Sequence, residues 1–151
     1  MSNEAREAVI QALEEAGFSR GSAIVGLERG FRCAYCCRQL LVDIDSYDLW
    51  ENDHLRPLSK GGIAETENLV LACRLCNKIK GNWEPADSSE WSREQMILAV
   101  RKHVEEGRDK KRSELKKVLD ILAKGGVLPG LSMREAPRQP KCPEEGEVHH
   151  V

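Results

Sequence analysis

The chain has 151 residues, enough for one small domain with appendages, and its formal net charge is −2. So even a balance excludes a global basic field, and any contact with nucleic acid must come from local patches. The longest apolar runs, "LVLA" at 69–72 and "MILAV" at 96–100, are far too short to span a bilayer. The N-terminus is acidic and amphipathic, without a basic segment followed by a greasy one, so a soluble cytoplasmic protein with no membrane partner is expected.

Residues 3–16 read as a helix with Ala5, Ala8, Val9, Ala12 and Leu13 on one face and Gly17 at its end. Residues 18–32 read as a connector with glycines enough for turns, closing a first section at residue 30. From Phe31 the texture changes. "FRCAYCCRQ" is a cysteine knuckle, "LLVDIDSYDLWENDHL" suits two short strands or a strand and a loop, and "RPLSKGGIAETE" is a loop. "NLVLAC" has strand character and "RLCNKIKGNW" resumes helical spacing up to Gly81. This core section spans 31–84. A section of helices is expected over 85–125. Ser92 with Gln95 makes a capping box, and Trp91, Met96, Leu98, Ala99, Val100 and Val104 supply an apolar face. Gly107 is expected to break that helix, and a second follows over roughly 109–124 with Leu115, Val118, Leu119, Ile121 and Leu122. Residues 126–151 hold four of the six prolines and no periodicity, and read as a tail.

Four of the six cysteines form two pairs, Cys33-x2-Cys36 and Cys73-x2-Cys76. Each such knuckle turns two sulfurs toward one point, so two can close a tetrahedral zinc site. Four thiolates leave no open position, which makes the zinc structural, a staple for a segment whose core is thin. The alternative for any one cysteine is a small buried hydrophobe. Cys37 adjoins Cys36; the two-residue spacing favours Cys36 as the ligand. No role is assigned to Cys37 or Cys142. The gap from 37 to 72 is long for a compact ribbon, so a folded insert hangs from the metal.

That insert contains "DHLRPLSKGG" and "ENLVLACRLCN", followed by "KIKG". With "CAYC", in this order, the chain from Phe31 to Trp83 resembles the HNH nucleases in their four-cysteine zinc form. The resemblance implies an α+β fold: a small ββα-metal, treble-clef-like core stapled by zinc, with helices flanking it on both sides. It implies Asp53 and His54 on the first strand, Asn68 opening the second, and Asn77 at the closing helix, where the family often has His. It also implies a metal-dependent endonuclease acting on DNA, with His54 as general base and Asp53 and Asn77 offering oxygens to a catalytic Mg²⁺ or Mn²⁺. Asn68 is then the residue that orients the His segment, since its amide can bond both an N–H and a C=O. Regular strand alternation would put Asp53 and His54 on opposite faces, so a distorted backbone is expected there. On residue type alone other readings stand: a structural or zinc-binding His54, Asp53 and Asn68 as turn residues, Asn77 as a helix cap. Small nucleases that resemble this chain serve phage defence, phage packaging or mobile elements.

Arg56, Lys60, Arg74, Lys78 and Lys80 surround the motif and are candidates for nucleic-acid contacts. The run 101–117 carries eight Lys/Arg against four Asp/Glu, either a solvated helix face or an arm tracking the phosphate backbone. The terminal helices are candidate surfaces for a protein partner or for self-association. A rival expectation is a non-catalytic treble-clef module that binds nucleic acid or protein. Such a module has no need of Asp53, His54 and Asn77 together.

Overall fold

In the computed structural model, helix α1 (Asn3–Glu15) begins where the Ser2 hydroxyl accepts a hydrogen bond from the Ala5 amide. The structure describes residues 1–127, 130, 132 and 133. Ile10 is the residue α1 buries, whereas Val9, on the face expected to be apolar, is exposed. The expected connector is instead a second helix, α2 (Arg20–Glu28), capped by Ser19. Its glycines serve close packing and not turns. A Cβ on Gly26 would lie 2.4 Å from a ring carbon of Phe31.

After the first knuckle comes a short helix, α3 (Ile44–Asp48), in place of a further strand. Strands β1 (Trp50–His54) and β2 (Leu69–Cys73) pair antiparallel, with Trp50 opposite Cys73 and His54 opposite Leu69. Helix α4 (Arg74–Lys80) follows β2 directly and ends at Gly81, whose φ of 51° suits a residue without a side chain. The order is two strands, then a helix. This small antiparallel sheet among helices, with four clustered cysteines, is the expected ββα-metal α+β core.

The two C-terminal helices expected on either side of Gly107 are a single one, α5 (Arg93–Lys124). The Ser92–Gln95 capping box starts it. Gly107 does not break the helix because it stands where α4 crosses. A Cβ there would meet Ile79 Cγ2 at 2.4 Å. Met96, Ile97, Val100 and Val104 are buried; Leu98 and Trp91 are exposed. They join one core with Val25 of α2 and Val70, Leu71 and Ala72 of β2, so the flanking helices pack on the zinc segment itself. Beyond Gly107 the apolar residues Leu115, Val118 and Ile121 are exposed. No helix among the described residues is long and apolar enough to cross a membrane. The expected tail falls largely outside the described residues, and Cys142, His149 and His150 lie there.

Candidate active site and zinc centre

The first knuckle is pinned to the sheet by the Ala34 amide, which donates to the Leu71 carbonyl at 2.8 Å. The second knuckle straddles the β2–α4 junction. The sulfurs of Cys33, Cys36, Cys73 and Cys76 therefore converge, all within 4.8 Å of one another. Cys36 Sγ and Cys73 Sγ are 3.8 Å apart. A tetrahedron of zinc–sulfur bonds, each about 2.3 Å, spaces its sulfurs about 3.8 Å apart, so the four residues fit structural zinc. Cys37, buried at a φ of 60°, is not one of the four. A hydrogen bond from Cys33 lowers the Cys36 thiol to about 7, toward the thiolate that a metal requires. Arg108 of α5 donates to Cys76 Sγ at 3.4 Å. Burial works against the Arg108 charge, but the sulfurs of Cys76, Cys36 and Cys73 together more than offset this, and its pKa rises. Sequence reasoning passed over Arg108 because only the unbroken α5 brings it to the metal centre.

Strand β1 carries two carboxylates toward α4, and they fare differently. Asp53 is buried and both its oxygens are engaged. Oδ2 accepts from the Tyr35 hydroxyl, and Oδ1 pairs with Lys80 Nζ at 3.0 Å. Lys80, 2% exposed, also donates to the His54 carbonyl at 2.8 Å. Burial, and then the Asp53 carboxylate, push the Tyr35 hydroxyl well above its ordinary pKa, so it stays a donor. Asp53 and Asn77, expected to share an ion, are thus not brought together by any bond. Asn77 instead donates to Glu51 Oε2 at 2.6 Å, and Glu51 Oε1 faces Arg74 Nε at 3.3 Å. Glu51 was missed from the sequence. The signal available was its place two residues before Asp53, on the same face of a strand.

His54 is the last residue of β1, half-buried, and its imidazole has no hydrogen bond or ion pair among the described residues. The expected distortion is not found, since pairing runs in register through His54. Upstream in β1, Trp50 stacks on Phe18 and Asn52 accepts from the Ser22 hydroxyl of α2. Asn68 precedes β2 and ties down the chain leaving His54. Its Oδ1 accepts from the Arg56 amide at 2.8 Å. Its Nδ2 donates to the Arg56 and Ile63 carbonyls, each at 2.8 Å. Gly62 is obligatory there, because a Cβ would lie 2.0 Å from the Arg56 carbonyl oxygen.

Residues 33–82, a third of the chain, match the family model described as HNH endonuclease. That segment is similar to an HNH endonuclease domain. No match is found among curated proteins.

Around this core the five basic candidates separate. Lys60, Arg74 and Lys78 are exposed. Arg56 and Lys80 are not free to meet phosphate, and the expectation for them is corrected. Arg56 bonds Glu84 Oε2 at 3.1 Å and the Ser88 carbonyl at 2.6 Å, bracing the loop before α5. Lys80 is spent on Asp53 and the His54 carbonyl. Arg93 acts as a similar brace, with bonds to the carbonyls of Thr66, Glu67 and Leu69. His103 stacks on Trp83, rings 4.1 Å apart, within the scaffold.

Proposed function

We propose that the protein is a metal-dependent endonuclease that hydrolyses phosphodiester bonds in DNA. The observation that supports it best is His54: an imidazole without a partner among the described residues, at a strand end whose exit Asn68 holds fixed. His54 would take the proton from a water as its oxygen bonds to phosphorus and the bond to the 3′ oxygen breaks. Asn68 acts as a positioning residue, and the exposed Lys60, Arg74 and Lys78 meet backbone phosphates. Asn77 and a carboxylate of β1, to which the motif alone would assign Asp53, would hold Mg²⁺ or Mn²⁺. Bound there, the ion would neutralise charge at the phosphate and the leaving oxygen. Both residues are oxygen donors of the kind these hard cations prefer.

The expected outcome is nicking or cutting of plasmid DNA with Mg²⁺ or Mn²⁺ by zinc-loaded protein. His54→Ala should abolish it while the zinc content and fold are unchanged. If wild type is inactive with every divalent ion and DNA form, the enzyme assignment fails. Inside a cell, the cytoplasmic role we favour is that of nuclease in a phage-defence system, and the same variant should then lose plaque protection. The rival, a non-catalytic zinc module binding nucleic acid or protein, has one observation in its favour: Asp53 is taken up by Lys80 and Tyr35.

A further inference from the structure

We infer that the divalent ion of this HNH core is held by Glu51 together with Asn77, and that Asp53 is not one of its ligands; the inference rests on the nuclease proposal. Both carboxylates lie on the α4 face of β1, but their surroundings sort them. Asp53 already has a resident cation. The Lys80 ammonium sits 3.0 Å from Oδ1 and is sealed beneath α4, with the Tyr35 hydroxyl on the other oxygen. A divalent ion there would meet a like charge that has no route to water. Glu51 is open. Its side chain is 36% exposed, and among the described residues its one cation is Arg74, itself 66% exposed and free to swing toward solvent or a phosphate.

Asn77 completes the pair. Its Nδ2 now donates to Glu51 Oε2 at 2.6 Å. Turning that amide over exchanges its nitrogen for its oxygen, so the two side chains that share a hydrogen bond would present two hard oxygens to one ion. Mg²⁺ and Mn²⁺ commonly take no more than one or two such protein ligands, with waters and substrate phosphates completing the shell. Arg74 then has a double place. It supplies positive charge beside Glu51 in the free protein and is released to the DNA backbone when the ion arrives.

The test is Mn²⁺ binding by zinc-loaded full-length protein, read from loss of the free-ion electron paramagnetic resonance signal, with and without a short DNA duplex. Glu51→Gln should weaken binding about tenfold or more, since even outer partners of a metal ligand are worth that much. Its zinc content and circular dichroism should match wild type, because the Glu51 side chain is partly exposed and is not one of the four clustered sulfur ligands. Asp53→Asn should bind Mn²⁺ within about threefold of wild type and show its effect as a lower Tm. Wild-type binding of Mn²⁺ in Glu51→Gln, a larger loss in a folded Asp53→Asn, or no binding by wild type in either condition would overturn the assignment. Binding that depends on Glu51 in a protein that cuts no DNA would uphold the ion site and overturn the nuclease proposal instead.

Discussion

The two ends of α4 face the same strand and treat its carboxylates in opposite ways. At the C-terminal end, Lys80, Asp53 and Tyr35 form a sealed cluster that also grips the His54 carbonyl. Nearer the N-terminal end, Asn77, Glu51 and Arg74 form an open rim. Residue type does not separate these sets, since each has a carboxylate, a cation and a neutral polar group. Burial separates them. A charge in the sealed cluster must be balanced by a fixed neighbour, while a charge on the rim can exchange partners.

The largest effect should come from breaking what both share. Cys73→Ser removes one sulfur at the β2–α4 junction, and we expect it to abolish zinc binding and the folded core together, measured as zinc content and circular dichroism. Lys80→Met should come next, about 3–5 kcal/mol in urea unfolding, because it leaves Asp53 buried without its cation. Adding Asp53→Asn should recover more than half of that loss; no recovery would mean that Lys80 matters for packing and not for charge. Gly107→Ala should cost a net of about 1 kcal/mol. The gain in helix propensity, up to about 1 kcal/mol, is outweighed by a clash with the stiff Ile79 side chain worth about 1–3 kcal/mol. Arg74→Ala and Glu51→Gln should change stability by less than about 0.5 kcal/mol, as expected of a rim. A large loss in either would erase the contrast between the two ends.

How legible all this was in the sequence depends on whether a feature is local. The paired cysteines, the Asp-His pair and the Ser92–Gln95 box carry their meaning in a few neighbouring residues, and the converging sulfurs, β1 and the start of α5 are found where their spacing puts them. Two glycines misled. Gly26 and Gly107 look like breakers, yet each marks a place where another side chain crosses the helix too closely for a methyl group. Arg56 and Lys80 look like phosphate contacts because a charge in sequence carries no depth. Their partners, Glu84 and Asp53, lie 28 and 27 residues away, beyond what spacing can reveal. Glu51 went unnoticed for the same reason, as its bond to Asn77 joins residues 26 apart.

The continuity of α5 has a mechanical consequence. Arg108 fastens the helix to the metal centre, and the helix runs on without a joint to Lys124. At about 1.5 Å per residue this outer part is a boom about 24 Å long. Its base cannot swivel at Gly107 without driving Ile79 out of the core. Whatever grips the far end, where Val118 and Ile121 are bare, is held at a set distance and bearing from the four-cysteine cluster. Inserting one residue beyond Arg108 would swing that load by about 100° around the axis while leaving the core untouched.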